Sequence, residues 1–216
     1  MKMIAKFTKG DDIKFCSHLD TQKLLTRGMS RADIPVAFSQ GFNKHPLVSL
    51  AMALPVGVLS EGEYVELDLQ SEITAEDFVQ RMNDNLPRAT RIVDARVVED
   101  RFPALMSQVY AAKYRVYFEN AQNLKEKTAE ILNKTSIIIN KKTKSKTKET
   151  DIRDLILGIE AFDNYVECVI RCGATNLKPV DFASLYELDF GKITRVEMYG
   201  ADSEGRLIEL MKIMHN

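Results

Sequence analysis

The sequence predicts an α+β protein made of two tandem ferredoxin-like halves, each a split β-α-β unit with an antiparallel sheet. Segments in which apolar and polar residues alternate, as in half-buried strands, recur between amphipathic helices with capping signals. Their order in the first half (strand, helix, strands, helix, strand) returns in the second. We therefore place one domain at residues 1–102 and a second at 109–216, with the break at 101–108.

The first half begins with an alternating strand at residues 3–8. Ser17 then predicts a helix start of the capping-box type. Its hydroxyl would accept from the backbone N–H three residues on, and Asp20 would reach back to the Ser17 N–H. The helix is predicted over residues 18–32, where Gly28 lets its apolar stripe pack closely, and Pro35 ends it.

The remaining elements follow from the same signals. In the first half they are strands at 36–38, 47–54 (apolar enough to be central), 64–69 and 91–99, a turn at 57–62, and a helix from the cap Thr74 to about Pro87. In the second half they are strands at 112–119, 136–142, 151–160, 165–172 and 192–198, helices at 122–132 and 179–188, and a closing helix at 206–214.

Composition limits the function classes. The chain has 30 basic and 31 acidic residues, so any nucleic-acid contact must come from a local patch and not from global attraction. No apolar run approaches the roughly 18 residues that cross a bilayer, and the start has the pattern of a strand and not of a signal peptide. We therefore predict a cytoplasmic protein with no membrane association.

The three cysteines are Cys16, Cys168 and Cys172. An odd, sparse set favours a reducing compartment without a disulfide framework. Only two lie close together, whereas iron–sulfur clusters need a fuller set of thiolate ligands. Cys168 and Cys172 would share one face of a strand, which favours a role in the core over a cryptic metal or redox role. We predict no metal and no cofactor.

Two histidines are candidates for chemistry. His18 lies at the start of the first helix, and His45 lies in the loop at residues 40–46. If both faced one cleft, they could perform acid–base catalysis or bind a metal. The alternative is that they are surface or helix-cap residues without a chemical role.

The loop at residues 39–46 favours binding. Gly41 would let its backbone approach a ligand, Lys44 could hold a phosphate and Phe42 could stack on a base. The alternative is an ordinary connecting loop. The candidate residues for RNA or partner binding here, with the charge of the preceding helix, are Arg27, Arg31, Ser39, Gln40, Phe42, Asn43, Lys44 and His45.

A second candidate is a lysine-rich hairpin with its tip near Ser145. Hydroxyl side chains alternate with its lysines, a composition suited to a phosphodiester backbone and to salt-sensitive binding without sequence preference. The alternative is a solvated face. Its candidate residues are Lys141, Lys142, Lys144, Lys146 and Lys148. The sequence contains no serine–histidine–acid order, P-loop or dinucleotide fingerprint.

Several segments resemble a known family. They are Ser-His-Leu-Asp at 17–20, Ile-Pro-Val-Ala-Phe-Ser-Gln-Gly-Phe-Asn at 34–43, His-Pro at 45–46, Ala-Leu-Pro-Val-Gly at 53–57 and Glu-Tyr at 63–64, together with Arg27 and Arg31. On these the chain resembles the radical SAM-linked bacterial protein family of unknown function. Many members have proline at the position of Lys44, which weakens the case for that side chain.

The resemblance implies a partner. Members are fused to, or encoded beside, a radical SAM protein that often binds cobalamin and would carry the radical chemistry. Neighbouring genes for ribosomal and RNA-processing proteins imply a structured RNA, such as tRNA or rRNA, as the substrate. We therefore predict an accessory RNA-binding or substrate-presenting protein in RNA modification or processing. The alternatives are a metal-free RNA-processing enzyme that uses His18 and His45, and a pure protein adaptor for the partner.

Overall fold

A computed structural model describes residues 1–119, 121–142, 147–173 and 175–214, with the backbone alone at 141, 142 and 147. The strands are β1 (Lys2–Lys9), β2 (Val48–Leu50), β3 (Leu59–Asp68), β4 (Ile92–Val98), β5 (Ala111–Phe118), β6 (Ile138–Lys142), β7 (Thr147–Asp151), β8 (Ile156–Ala161), β9 (Tyr165–Arg171), β10 (Phe190–Ala201) and β11 (Leu207–Glu209). The helices are α1 (His18–Arg31), α2 (Ala75–Asn85), α3 (Leu105–Gln108), α4 (Leu124–Asn133), α5 (Pro179–Ala183) and α6 (Leu210–Ile213). The mixed α+β class is confirmed. Within the described ranges, no helix is long and apolar enough to cross a membrane.

One sheet carries most of the strands. Its main path is β4-β1-β3-β10-β5-β9-β8, with β2 paired to β3 and β11 paired to β10. Every pairing in it is antiparallel except that of β3 with β10, which is parallel and joins Leu59 to Thr194 and Ser60 to Arg195. This joint connects the first half of the chain to the second within a single sheet.

The strand order is the same in both halves. In the first it is β4-β1-β3-β2, and in the second it is β10-β5-β9-β8. In each case the opening strand lies between the last strand and the third. The hairpin β6–β7 forms a sheet of its own, inserted after α4.

Local capping signals place the two long helices of the first half. Ser17 Oγ accepts from the Asp20 N–H at 3.2 Å, and Thr74 Oγ1 accepts from the Asp77 N–H at 3.1 Å, both as predicted. The reciprocal half of the predicted capping box is wrong, because the Asp20 carboxylate accepts from the Ser17 hydroxyl at 2.7 Å. A Cβ on Gly28 would lie 2.8 Å from a Leu86 methyl, so glycine lets α1 pack against the end of α2.

The predicted central strand at residues 47–54 is wrong. Only β2 pairs there, and it pairs with β3 alone. Ala51 and Leu54 are buried without belonging to a strand, so the apolar run reflects packing in the core. The strand predicted at 36–38 is replaced by two isolated bridges, Val36 with Leu69 and Phe38 with Pro46.

Other boundaries differ for local reasons. Residues 59–62, predicted as part of a turn, belong to β3. The strand predicted at 151–160 is interrupted because the Asp151 carboxylate accepts from the Ile137 and Arg153 N–H groups, which turns the chain after β7. The predicted closing helix is shorter, since β11 precedes α6. The break at 101–108 contains α3.

The core forms two clusters. One lies between the sheet and helices α1 and α2, around Phe7, Leu25 and Phe78. The other is larger and contains Ile4 and Tyr64 of the first half together with Phe182 of the second. Apolar packing therefore crosses the boundary between the halves, as the sheet does.

Buried charges lie at the β3–β10 joint. Arg195 is fully buried, and its Nη1 donates to the two carboxylate oxygens of Glu63 at 2.8 and 2.9 Å. Its Nε donates to Tyr114 Oη at 3.0 Å, and its Nη2 donates to the Ala53 carbonyl at 3.0 Å. A buried arginine needs this full set of partners, since desolvation of an unpaired charge is strongly unfavourable.

Candidate functional site

The loop predicted to bind is closed by its own hydrogen bonds. The Ser39 N–H donates to the His45 carbonyl at 2.9 Å, and the His45 N–H donates to Ser39 Oγ at 3.1 Å. The same Ser39 Oγ lies 2.9 Å from His45 Nδ1, which is 3.3 Å from the Asn43 carbonyl oxygen. These bonds give the 39–45 loop a defined shape. They also give the side chains of Ser39 and His45 a structural role in the loop.

The tip of the 39–45 loop points away from the protein. Phe42 has 109% relative exposure, so its whole ring is outside the core. Gly41 precedes it with a φ of +121°, a conformation that side-chain-bearing residues rarely adopt. Gln40, Asn43 and Lys44 are also exposed. The loop therefore presents one aromatic ring with polar groups on both sides.

The two candidate arginines of α1 have different environments. Both are exposed. Arg31 Nη2 donates to the Asn85 carbonyl at the end of α2 at 2.6 Å, which gives it a role in capping that helix. Arg27 lies one turn earlier in α1 and carries its charge in solvent.

The structure does not bring the two candidate histidines together in one cavity. His45 borders a shallow depression of about 230 Å³ with Pro46, Ser49 and Asp68. His18 instead borders a larger cleft between the two halves. The two histidines therefore line different cavities, and the condition for their joint acid–base catalysis or metal binding is not met.

This larger cleft, which we call the junction cleft, has a volume of about 840 Å³. It opens between the start of α1, the chain after β2, the region of α3 and the end of β9. Its walls are mostly apolar. The described residues that line it are His18, Ala51, Met52, Ala53, Ala104, Met106, Ser107, Val109, Tyr110, Arg171, Cys172, Gly173 and Thr175.

Arg171 and Tyr110 form the main polar feature of the junction cleft. The guanidinium carbon lies 3.7 Å from the centroid of the tyrosine ring, and Nη1 donates to Tyr110 Oη at 2.8 Å. Arg171 Nε is buried and has no hydrogen-bond partner in the described part of the chain. The tyrosine thus fixes the guanidinium at the wall of the cleft.

His18 lies between the junction cleft and the buried side chains of Lys9 and Glu63. It also borders a cavity of about 10 Å³ that Lys9 and Glu63 share. Lys9 is 2% exposed, its Nζ donates to the Cys16 carbonyl at 2.7 Å, and burial lowers the pKa of its ammonium group. His18 Nδ1 is buried, with no partner among the residues described.

Cys168 and Cys172 lie in the same core cluster, as predicted. Burial raises the pKa of both thiols, so both are protonated at neutral pH although Cys172 borders the junction cleft. Among the residues that the structure covers, no group of three or more histidine, cysteine or acidic side chains could hold a metal ion.

We expect iodoacetamide at pH 8 to modify Cys16 in the native protein and to leave Cys168 and Cys172 intact. Cys16 is half-buried, whereas the other two thiols are buried and protonated. Peptide mass spectrometry measures the modification of each cysteine before and after unfolding in urea. All three cysteines should react in the unfolded protein. Rapid native modification of Cys172 would contradict it and would show an ionised thiol in the junction cleft.

The lysine-rich segment forms the predicted hairpin. β6 and β7 pair antiparallel, with Lys141 opposite Lys148 and Lys142 opposite Thr147. Lys148 is exposed. Lys144 and Lys146 lie outside the described residues, as do the side chains of Lys141 and Lys142.

A comparison with known families identifies a match. The model of the family described as "Uncharacterized protein conserved in bacteria (DUF2344)" matches residues 2–179. The chain belongs to this family. A search of the curated proteins finds no match. The DUF2344 region contains the 39–45 loop and every described residue of the junction cleft, and it ends before β10.

The residues of the junction cleft, apart from His18, were not predicted as site residues. Ala53, Tyr110 and Arg171 come from segments far apart in the sequence, and no spacing rule connects them. The available signal was the position of Arg171 at the end of an alternating strand, next to the buried Cys172. That signal marks a strand end and does not indicate a binding site.

Proposed function

We propose that the protein is an accessory RNA-binding protein that presents its substrate to a radical SAM enzyme in RNA modification or processing. The observation that carries this proposal is the 39–45 loop. An exposed aromatic ring gains no free energy of burial in the free protein, so a loop held in shape around it favours contact with a partner surface. Base stacking suits such a ring because every base has an aromatic face.

Positive charge on the 39–45 loop and on α1 supports a nucleic-acid partner. Lys44 is exposed in the loop, and Arg27 is exposed on the helix that precedes it. The hairpin adds Lys148 on a separate surface. Contacts of this kind with phosphates bind without sequence preference and weaken as salt rises.

The inference of a radical SAM partner is based on the sequence segments described above, which lie mainly on α1 and the 39–45 loop. In this proposal the partner supplies the radical chemistry and binds any cobalamin, and this chain binds the RNA in the cytoplasm. The same surface could instead dock the partner directly, which is the adaptor alternative. An RNA-processing enzyme that uses His18 with His45 is disfavoured because the two side chains line different cavities.

For the architecture, we infer two tandem ferredoxin-like halves, at residues 1–102 and 109–216. The support is the equal strand order, β4-β1-β3-β2 and β10-β5-β9-β8, with a helix after the first and third strand of each set. In this proposal the β3–β10 pairing joins the two halves side by side.

We expect Phe42→Ala to weaken RNA binding about tenfold, since loss of one aromatic–base stack typically amounts to about 1–3 kcal/mol. Fluorescence anisotropy with fluorescein-labelled bacterial tRNA and rRNA fragments, at low and high salt, measures the affinity. Phe15→Ala is the matched control, because Phe15 is also an exposed aromatic residue, at 72%, outside this loop. Both variants should keep the wild-type stability.

The alternatives predict other results. No RNA binding at low salt, with or without the radical SAM partner, would contradict the proposal. If Phe42→Ala leaves RNA binding intact and abolishes co-purification with the partner, the adaptor alternative is correct.

A further inference from the structure

The junction cleft is a second candidate site, separate from the 39–45 loop. Its volume of about 840 Å³ lies within the usual range for small-molecule sites, about 300–1,000 Å³. Such sites combine apolar walls with a few placed polar groups. Here the walls include Met52 and Met106, and the polar groups include Tyr110, Arg171 and His18.

The charge of the junction cleft selects one kind of ligand. Arg171 is a cation in its lining, and none of the described lining residues is acidic. Within the described ranges, Arg171 has no ion pair with a carboxylate. Among the described residues, Tyr110 is therefore its partner and no carboxylate neutralises its charge, which favours an anionic ligand.

The geometry of Arg171 also fits anion recognition. Tyr110 holds the guanidinium through its ring face and through the bond from Nη1. The buried Nε stays without a partner in the described part of the chain. Arginine binds phosphate and carboxylate groups through two parallel N–H donors, and a fixed guanidinium loses less conformational entropy on binding.

We propose that the junction cleft binds a small organic anion with a flat ring system, such as a nucleoside monophosphate or an aromatic carboxylate. Arg171 receives the phosphate or carboxylate group. The thioethers of Met52 and Met106 pack against the ring, a contact that methionine sulfur makes favourably. His18 lines the cleft on the side of α1 and supplies a second polar contact to the ligand.

The test is methyl NMR of the full chain labelled with [methyl-¹³C]methionine. Met52 and Met106 report on the junction cleft, and the variants Met52→Leu and Met106→Leu assign their signals. Met3 and Met82 lie in the other core cluster and serve as internal controls. The probes are adenosine 5′-monophosphate, adenosine, inorganic phosphate and indole-3-acetate.

We expect adenosine 5′-monophosphate, indole-3-acetate or both to shift the Met52 and Met106 signals and to leave those of Met3 and Met82 in place. Adenosine lacks the anion and inorganic phosphate lacks the ring, so each should bind at least tenfold more weakly than the better of the two. A preference between the two anionic probes shows whether the natural ligand carries a phosphate or a carboxylate.

Arg171→Gln should weaken binding of the better probe at least tenfold, and Tyr110→Phe should weaken it less, since it loosens the guanidinium without removing it. Arg88→Gln is the matched control, because Arg88 is exposed and does not line the cleft. Thermal unfolding followed by circular dichroism establishes that the variants fold.

Three results would overturn the proposal. One is the absence of any Met52 or Met106 shift with all four probes at millimolar concentration. Another is unchanged affinity in Arg171→Gln and Tyr110→Phe. The third is equal affinity for inorganic phosphate and both ring-bearing anions, which would leave the flat ring without a role. RNA binding through Phe42 is measured separately and can fail or succeed independently.

Discussion

Glu63→Gln is expected to lower the free energy of unfolding by about 3–5 kcal/mol, as when one member of a buried ion pair is removed. Arg195 would keep Tyr114 Oη and the Ala53 carbonyl but would lose the carboxylate that accepts from its Nη1 at 2.8 and 2.9 Å. Lys9, which is also buried, would lose the negative charge that favours its ammonium form. Urea denaturation followed by circular dichroism measures the change.

The matched control is Glu61→Gln, two residues earlier on β3. The Glu61 side chain is 53% exposed and lies 3.5 Å from Arg115 Nη1, so its loss should amount to about 1 kcal/mol or less. A double variant, Glu63→Leu with Arg195→Met, should be more stable than Glu63→Gln, because apolar residues can replace a buried pair with little loss. Equal destabilisation by Glu61→Gln and Glu63→Gln would contradict the importance of the buried pair.

Local signals predicted much of the first half of the fold. Ser17 and Thr74 have hydroxyls that cap α1 and α2, and capping depends on neighbouring residues alone. The strands β1, β4, β5 and β9 were also predicted. Burial alternates along β5 and β9, whereas β1 buries Met3, Ile4 and Ala5 in succession. The apolar run at 47–54 led to the wrong prediction of a central strand, since β2 accounts for only three of its residues. Burial and strand pairing are separate properties, and an apolar run indicates the first.

Long-range features were not predictable from one sequence. Glu63 and Arg195 form a buried pair across 132 residues of chain. Nothing in the local sequence distinguishes them from surface charges such as Glu61. The junction cleft depends in the same way on how the two halves meet. The 39–45 loop was predictable as a unit because its bonds join residues at most six positions apart.

The β3–β10 joint can be tested with one substitution. A Cβ on Gly62 would lie 2.7 Å from the Val196 carbonyl oxygen and 3.2 Å from Glu197 Cα, both backbone atoms of β10. We expect Gly62→Val to push the two strands apart and to lower the free energy of unfolding by about 3 kcal/mol, at the upper end for overpacking. Chemical denaturation measures this.

Gly158→Val on β8 is the matched control, since a Cβ there meets no atom within 4 Å. It should leave the stability within about 0.5 kcal/mol of the wild type, because β-branched residues suit strand positions where the side chain has open space. A Gly62→Val variant as stable as the wild type would mean that β3 and β10 do not approach so closely. The two halves would then lack the close β3–β10 joint. The junction cleft opens beside this joint.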